Sequence, residues 1–539
     1  MKIDAQMNKA LLKHLLLSLI ILIINTKGFT QNQREDLHLL HIQVTADSYF
    51  NDYMFAEALT NYLKYFEGDS SNSEVNYKIG LCYLNISEHE NALPYLNMVI
   101  KDTAYLKPHI YYYSAKAHQL EHNFDQAITF YKNYLGTLPE DEEYLSEVNE
   151  IKREIDKCLI GKEFLKNPNS KEPINLGSII NSEYPDYGAV LNADESTLIF
   201  TSERPSTTGG KKSKLDGSFH DDIYVSKKVN NEWSKPMPIN ELNTNHDDAA
   251  VSISHDGHKL ITYHYGHSSL LHSSGDLYLS KLESDTWSKP EKLGNHINSK
   301  YRESSACFSN SDNELYFVSD RPGGYGGLDI YKVSKNQNGE WNEPENLGAE
   351  INTPFDEESP FIHPDGKTFY FSSEGHKNMG GFDIFKATLN DENKWSKPVN
   401  LGYPINTANN DVYFTVSANG KHIYFSDHRK KNSFGHEDIY YAEINVDKSN
   451  ILLLSGVIKN KGGEKLEAEI EILDKSTQEI ISLTTSNKTT GKFIIVVSEG
   501  RNYEVKIVKK GFKNYSFKLN TEDLTEYHEE KRFIELKEK

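Results

Sequence analysis

Five acidic residues in loops of one pattern are the first candidates for chemistry. Each loop has an asparagine, then a serine or threonine, then an acid four residues further on, as in "NSEYPD", "NTNHDD", "NSKYRE", "NTPFDE" and "NTANND". The acids are Asp186, Asp248, Glu303, Glu357 and Asp411. If a ring brings these carboxylates together, they could hold a cation, or the Lys or Arg of a partner, because converging carboxylates are costly to leave unpaired. Alternatively, each bonds a backbone N–H of the adjacent repeat.

Other motifs of catalysis and metal binding give no support. The loop "YHYGHSSLLHSSGD" lacks the i, i+4 helical spacing of a zinc motif, although it holds three histidines, His264, His267 and His272. Three isolated cysteines are interpreted as small buried apolar residues: Cys82, Cys158 and Cys307. The chain has no GxSxG, HExxH or phosphate-binding glycine loop. We therefore predict no enzymatic activity, no metal and no cofactor.

Length and charge limit the class of protein. A chain of 539 residues is too long for one ordinary core, so we expect about two to four domains. The balance of 59 Lys+Arg against 79 Asp+Glu gives a formal charge of -20, which would repel a phosphate backbone. Nucleic acid is not an expected partner.

Residues 1–30 have the pattern of a secretory signal peptide. Lys9 and Lys13 precede an apolar stretch from Leu15 to Ile24, and small or polar residues follow it. The stretch is too short to cross about 30 Å of hydrocarbon as a helix. We expect an exported protein that is periplasmic or associated with the outer membrane, with no transmembrane span in the mature chain.

Residues 36–166 have helical periodicity and a repeated spacing of small residues. The small residues form three pairs, each 12 positions apart: Ala46 with Ala58, Gly80 with Ala92, and Ala115 with Ala127. This is the tetratricopeptide pattern, in which small residues let two antiparallel helices approach, so we predict an all-α tetratricopeptide solenoid. Its concave face would present six residues to a partner: Tyr77, Leu81, Leu84, Tyr112, Lys116 and Gln119. Alternatively, the tyrosines only pack between repeats.

Residues 171–446 contain a second repeat, marked by four tryptophans that are 54 residues apart: Trp233, Trp287, Trp341 and Trp395. Each unit has four short strand patterns, as in one blade of a β-propeller. The first-strand pattern occurs five times, and the missing fourth strand of the last copy is found upstream, from Lys171. We predict a five-bladed β-propeller, closed by pairing of residues 174–177 beside residues 438–442.

The tryptophans and one aspartate of each unit are predicted to be structural. The tryptophans would start the outermost strands and cover their neighbours. The aspartates precede an Ile-Tyr, Leu-Tyr or Ile-Phe pair and would close a turn by accepting backbone N–H groups. They are Asp222, Asp276, Asp329, Asp383 and Asp438.

Two parts of the chain resemble known families. "SPFIHPDGKTFYFSSE" followed by "GGFDIF" resembles the TolB-type, WD-like propeller repeat. Residues 450–520 resemble a carboxypeptidase regulatory-like domain, a small β-sandwich whose first strand contains "SGVI". Residues 521–539 would be a C-terminal tail. Tetratricopeptide repeats, a propeller and a regulatory-like sandwich, in this order along the chain, resemble the PorE-like envelope proteins of the type IX secretion system. Proteins of that family usually continue into an OmpA-like domain where this chain reads "KRFIELKEK", so peptidoglycan binding is not expected.

The sequence therefore favours a non-enzymatic protein–protein interaction scaffold of the Gram-negative envelope, as a component or accessory of type IX secretion or outer-membrane assembly. Its partners would be envelope proteins that bind the helical groove and a propeller face. A glycan-binding protein, or a metal-dependent propeller hydrolase that uses the acidic ring, is the alternative.

Overall fold

The computed structural model describes residues 30–105, 107–205, 208, 218–265, 275–309, 313–429, 433–435, 437–444 and 450–539. The chain divides into two compact units, Met1–Lys162 and Glu163–Lys539. In the described part, the first unit is helical and the second consists mainly of antiparallel sheets. No helix among the described residues is long and apolar enough to span a membrane. The predicted signal peptide lies outside the described residues, except for Thr30.

The described part of the chain has seven α-helices. They are α1 (Gln31–Asn51), α2 (Phe55–Gly68), α3 (Ser73–Asn85), α4 (His89–Lys101), α5 (His109–Leu120), α6 (Phe124–Leu135) and α7 (Leu145–Lys166). Helix α1 packs on α2, α3 on α4, and α5 on α6, so the three predicted helical pairs are confirmed. Helix α1 begins before the predicted start at residue 36 because Thr30 and Gln33 form a capping box.

Small residues let the paired helices approach, as predicted. Ala46 and Ala58 are fully buried. A Cβ atom added to Gly80 would lie 2.4 Å from Cδ2 of Leu96 on the neighbouring helix, so only glycine fits there without a shift of Leu96. The small residues thus recur in the sequence at the positions where paired helices are in close contact.

Five sheets follow along the chain, and each is a meander of short strands. The first sheet contains β2 (Asp186–Leu191), β3 (Thr197–Ser202), β4 (Asp222–Val229), β5 (Glu232–Trp233) and β6 (Met237–Pro238). The second contains β7 (Asp248–Ile253), β8 (Lys259–His264), β9 (Asp276–Glu283), β10 (Thr286–Trp287) and β11 (Glu291–Lys292). The third contains β12 (Glu303–Phe308), β13 (Glu314–Ser319), β14 (Asp329–Ser334) and β15 (Glu345–Asn346).

The last two sheets have four strands each. The fourth contains β16 (Glu357–Ile362), β17 (Thr368–Ser373), β18 (Asp383–Thr388) and β19 (Val399–Asn400). The fifth contains β20 (Phe414–Val416), β21 (His422–Asp427), β22 (Asp438–Glu443) and, from the start of the unit, β1 (Ile174–Asn175). Ile174 pairs with Tyr441 and Asn175 with Tyr440, which is the pairing that the repeat alignment predicts.

The first strands of the five sheets contact one another in a cycle. Strand β2 contacts β7, β7 contacts β12, β12 contacts β16, β16 contacts β20, and β20 contacts β2. Each neighbouring pair of sheets also shares one hydrophobic cluster. The core of this region therefore consists of five similar layers between sheets.

The four tryptophans lie at the outer edges of their sheets. Trp233 pairs with Lys228, and Trp287 pairs with Leu282. Trp341 and Trp395 form single bridges to Lys335 and Leu389. Each indole also packs against the hydrophobic cluster between its own sheet and the preceding one. The predicted structural role of the tryptophans is confirmed.

Two further sheets form the C-terminal sheet pair, with strand orders β26-β23-β29 and β25-β24-β27-β28. The strands are β23 (Ile451–Asn460), β24 (Glu469–Asp474), β25 (Glu479–Thr485), β26 (Lys492–Ser498), β27 (Asn502–Val508), β28 (Tyr515–Asn520) and β29 (His528–Leu536). Both sheets contribute to one hydrophobic core. Strand β29 pairs in parallel with β23, so most of the predicted tail belongs to this domain. Charged neighbours conceal that strand in the sequence, although Ile534 and Leu536 are buried.

An asparagine in each repeat braces the loop that leads to the next sheet. Asn352 accepts a hydrogen bond from the backbone N–H of Ile330 at 2.8 Å and donates to the carbonyl of the same residue at 2.9 Å. The equivalent pairs are Asn181 with Ile439, Asn243 with Ile223, Asn298 with Leu277, and Asn406 with Ile384. These are the asparagines that open the five acidic loops.

We expect Asn352→Ala to lower the free energy of unfolding by about 3 kcal/mol, because it leaves two buried backbone groups of Ile330 without partners. Chemical denaturation followed by tryptophan fluorescence measures the loss. The exposed Asn342, in the same repeat, provides the control Asn342→Ala, which should change stability by less than about 0.5 kcal/mol. Equal losses in the two variants would contradict the bracing role.

Candidate functional site

A cavity of about 290 Å³ lies between the first strands of the five sheets. All five strands, or the residues just before them, contribute to its lining, for example Tyr187 at β2, Ala249 at β7, Ser304 at β12, Ser359 at β16 and Phe414 at β20. Cavities of this kind, with apolar walls and a few polar groups, are the usual place for a ligand.

β-Bulges shape the cavity wall. The pairing register shifts in four first strands, β2, β7, β12 and β16, beside the cavity. Ser359 and Tyr413 occupy equivalent positions in neighbouring repeats and have φ angles of 51° and 54°, which non-glycine residues seldom adopt. The backbone N–H of Tyr413 donates to Oγ of Ser359 at 3.2 Å, and that of Ser359 donates to Oγ of Ser305 at 3.2 Å. Contacts between neighbouring repeats thus hold a strained backbone that aims side chains into the cavity.

Two aspartates and one arginine are the charged residues of the lining. Oδ1 of Asp221 is buried without a hydrogen-bond partner. Oδ1 of Asp247 lies 2.7 Å from Nδ1 of His220. Arg302 Nη2 lies 4.0 Å from Oε1 of Glu358.

The pKa of Asp221 is raised to about 7, first by burial and then by the negative charges of Asp247, Glu437 and Asp222, against a hydrogen bond with Tyr187. Burial also raises the pKa of Glu437. The carboxylates at this cavity therefore exist in an environment that disfavours negative charge without a compensating cation.

The five predicted acids are buried and bonded within their own loops. Each side chain accepts a hydrogen bond from the backbone N–H of the serine or threonine four residues earlier: Asp186 from Ser182 at 2.6 Å, Glu303 from Ser299 at 2.9 Å, Glu357 from Thr353 at 2.8 Å, Asp411 from Thr407 at 2.6 Å, and Asp248 from Thr244. Both expectations are corrected: the carboxylates do not form an open ring for a cation, and their backbone N–H partners are not in the adjacent repeat.

Further contacts complete these loop bonds. Arg204 lies 2.9 Å from Asp186, Arg321 lies 3.2 Å from Glu303, and His264 pairs with Asp248. Burial raises the pKa of Glu357 to about 7 and that of Asp411 well above its usual value. These acids act as structural acceptors within the loops that lead to the first strands.

The aspartates before the third strands behave largely as predicted. Asp329, for example, accepts from the backbone N–H groups of Tyr325 at 2.5 Å and Gly326 at 3.1 Å. Asp222, Asp383 and Asp438 also accept backbone N–H groups from their turns. Asp276 pairs with Lys292 at 2.7 Å, and part of its preceding loop lies outside the described residues.

The predicted histidine loop is described only in part. Nε2 of His264 lies 2.7 Å from Oγ1 of Thr262, besides the contact with Asp248. His267 and His272 lie outside the described residues. Within the described part of the chain, no group of three or more His, Cys, Asp or Glu residues is arranged to hold a metal.

Four of the six predicted groove residues are half-buried on helices α3 and α5. They are Tyr77, Leu81, Leu84 and Tyr112. The ring of Tyr77 on α3 lies 5.9 Å from that of Tyr113 on α5, in the next repeat. The ring of Tyr112 on α5 lies 6.0 Å from that of Tyr131 on α6. The tyrosines therefore pack between helices, as the alternative reading expects, while parts of their surfaces stay accessible.

The other two groove residues face α7. Lys116 Nζ lies 3.6 Å from Oε2 of Glu154. Gln119 is fully buried and accepts a hydrogen bond from the hydroxyl of Tyr131 at 2.6 Å. Gln119 is therefore not available to a partner, which corrects the prediction. Helix α7 therefore helps to cover Gln119, while Lys116 stays partly exposed beside Glu154.

Sequence reasoning missed Asp221 and Asp247. Each precedes a structural acid by one residue, in "DDIY" and "NTNHDD". Consecutive residues of an extended chain point in opposite directions, so one acid of each doublet serves the loop and the other lines the cavity. The doubled acids were the available signal, and Glu437-Asp438 and Asp356-Glu357 have the same pattern in other repeats.

We expect Asp221→Asn to stabilise the protein at pH 8 but not at pH 4. The native pKa of Asp221 is raised to about 7 from 3.8, so its contribution to stability falls as pH rises from 4 to 7 and stays low above 7. The gain should reach as much as roughly 4 kcal/mol. Differential scanning calorimetry measures it, with the exposed Asp391→Asn as control. A gain that is equal at both pH values would contradict the assignment.

Comparisons with known proteins give weak similarities. No protein-family model and no curated protein sequence matches the chain. Solved structures that match part of it include the first tetratricopeptide domain of human RPAP3 (19% identity, TM-score 0.20, covering 23% of this chain and 94% of that chain). The Yersinia enterocolitica type III secretion chaperone SycD, in complex with a peptide of the translocator YopD, matches at 11% identity and a TM-score of 0.21, covering 23% and 95%.

An α-L-arabinofuranosidase from Lactobacillus brevis matches at 12% identity and a TM-score of 0.34, covering 50% of this chain and 93% of that chain. Scores this low carry no argument about the chain. The contacts described above therefore define the fold, which is a helical repeat region followed by a large all-β region. They also define the candidate site.

Proposed function

We propose that this protein is a non-enzymatic protein-interaction scaffold of the Gram-negative cell envelope. The observation that carries the proposal is the helical repeat: three packed helical pairs whose half-buried Tyr77, Leu81, Leu84 and Tyr112 lie on the first helices of the second and third pairs. Stacked helical pairs of this kind expose a continuous face that suits a peptide segment. Mixed apolar and polar groups on such a face favour a peptide from another envelope protein.

We also propose that the five sheets form a five-bladed β-propeller. The cyclic contacts of the first strands and the pairing of β1 with β22 support it, because a closed ring leaves no open sheet edge. The C-terminal sheet pair would be the carboxypeptidase regulatory-like domain. A role in type IX secretion or outer-membrane assembly is proposed from the order of these parts.

The alternative of a metal-dependent hydrolase has less support. It would use the five ring acids, and each of these carboxylates is buried and bonded in its own loop. No specific observation favours the glycan-binding alternative.

Site-specific photo-crosslinking in the native host tests the recruiting face. Benzoylphenylalanine in place of Leu81, which is half-buried on α3, should give covalent adducts with another envelope protein. The same residue in place of Gln126, which is exposed on α6, is the matched control and should give none. No adduct at Leu81, or equal adducts at both positions, would contradict the proposed role of the helical face.

Cell fractionation tests the location. The full chain should be recovered with the periplasmic or outer-membrane fraction, and a chain that lacks residues 2–30 should stay in the cytoplasm, because the apolar export signal is gone. Marker enzymes of each compartment are the control. Recovery of both chains in the same fraction would overturn the assignment.

A further inference from the structure

We propose that the cavity between the five first strands is a binding site for an ammonium or guanidinium group, the chemistry of a lysine or arginine side chain or of a free amine. This site lies wholly in the unit Glu163–Lys539, so the proposal stands independently of the helical face. Four features of the cavity suit such a group: an acceptor without a partner, neighbouring acidic residues, aromatic walls and a covered opposite end.

The acceptor without a partner is Oδ1 of Asp221. A buried carboxylate oxygen that accepts no hydrogen bond is costly, since it has lost water without a replacement. The other contacts of this residue leave that oxygen unpaired: its backbone carbonyl accepts from the N–H of Asp248, and its carboxylate bonds with the hydroxyl of Tyr187. An N–H donor that enters the cavity would supply the missing hydrogen bond to this oxygen.

Acidic groups predominate near Asp221, and the neighbouring His220 is paired with Asp247 at 2.7 Å. The charged groups that act on it most strongly are Asp247, Glu437 and Asp222, all of which are acidic. Arg302 also lines the cavity, but its side chain is 57% exposed and its guanidinium lies 4.0 Å from Glu358. Among the described residues, therefore, no cationic side chain forms an ion pair with Asp221. A ligand cation would supply the missing positive charge.

Aromatic and apolar walls suit a cation on a hydrocarbon stem. The rings of Tyr187 and Tyr413 lie 5.9 Å apart, and Tyr263 and Tyr265 also line the cavity. Tyrosine faces attract ammonium and guanidinium groups, more strongly where water is excluded. Apolar lining such as Ala249 and Val251 would pack against the methylene groups.

The C-terminal sheet pair covers the opposite end of the first strands. It packs on Ala193 and Ala418, in the turns after β2 and β20. Thr484 bonds with Asp256 after β7, and Oγ of Ser498 donates to the carbonyl of Asp365 after β16 at 3.3 Å. The corresponding turn after β12, residues 310–312, lies outside the described residues. A ligand would therefore enter from the end where Asp221 and Asp247 lie.

Binding of a cation should strengthen as pH rises through 7. The pKa of Asp221 is raised to about 7, and the titratable groups around it include Tyr187, Tyr413, Asp222, Asp247, Glu437 and, paired with Asp247, His220. A cation interacts with the ionised carboxylate and releases the proton, so affinity should rise about tenfold between pH 6 and pH 8. A primary amine stays protonated over this range.

Isothermal titration calorimetry of the full chain tests the proposal at pH 8 and low ionic strength. The probes are acetyl-Gly-Lys-Gly-amide, butylammonium chloride and the neutral acetyl-Gly-norleucine-Gly-amide. We expect the lysine peptide or butylammonium to bind and the norleucine peptide not to bind. Asp221→Asn should weaken binding by at least about tenfold, and Asp391→Asn by less than about twofold.

The two cationic probes distinguish the source of the ligand. Tighter binding of the lysine peptide indicates a side chain of a partner, and equal or tighter binding of butylammonium indicates a free amine. Absence of binding by both, equal binding of the norleucine peptide, or unchanged binding by Asp221→Asn would overturn the proposal. If Asp221→Asn fails to fold by circular dichroism, Asp247→Asn replaces it, and an unchanged affinity there would overturn the proposal in the same way.

Discussion

The β region depends on the loop that carries the chain from the outer edge of one sheet to the first strand of the next. In each repeat, an asparagine bonds both backbone groups of one residue in the third strand, as Asn352 does with Ile330. The acid at the end of the loop then accepts the backbone N–H of a serine or threonine, as Glu357 does with Thr353 at 2.8 Å. These three hydrogen bonds fix the direction and register of the first strand in each repeat, and so the wall of the cavity.

Burial of the loop acids lowers the stability of the native state, but their hydrogen bonds fix the arrangement of the strands. Burial raises the pKa of Glu357 to about 7, so its ionised form is disfavoured in the native state at higher pH. Hydrogen bonds from Thr353 and Ser373 offset part of that cost. The backbone N–H of Glu357 also donates to the carbonyl of Leu328, just before the third strand of the preceding sheet, at 2.8 Å. Asp186, Asp248 and Asp411 make the equivalent bond, so these four acids anchor two neighbouring repeats. A fully bonded polar network of this kind specifies one arrangement of the strands.

The packing of the helical unit depends instead on small residues at the contacts between helices. Gly80 admits Leu96, and Gly161 admits the ring of Phe124, with a Cβ-to-carbon distance of 2.4 Å in each case if alanine were introduced. Elsewhere on the helices, the half-buried Tyr77 and Tyr112 keep part of their aromatic surfaces exposed, which a peptide can use. The two units thus offer different kinds of surface: an apolar, aromatic face on the helices and a charged cavity between the sheets.

Much of this fold could be predicted from the sequence, since its determinants are local or periodic. Pairs of small residues 12 positions apart predict the helical pairs, and tryptophans 54 residues apart predict the repeated sheets. The upstream copy of the fourth strand predicts that Ile174 lies beside Tyr441, because identical units bury identical edges. Strand β29 was missed since its charged residues, such as Arg532, hide the two buried apolar positions.

The tertiary structure alone decided which acids are available. Asp221 and Asp222 are adjacent in the sequence, and each has one buried oxygen without a hydrogen-bond partner. Yet Asp222 accepts the backbone N–H of Thr208 at 2.6 Å through its other oxygen, whereas Asp221 lines the cavity. Likewise, Gln119 is a polar residue in the sequence pattern of a partner face, but contacts with Tyr131 of α6 and Glu154 of α7 bury it. Whether a buried polar group has a hydrogen-bond partner depends on which residues, distant in the sequence, pack against it. The local sequence pattern does not contain that information.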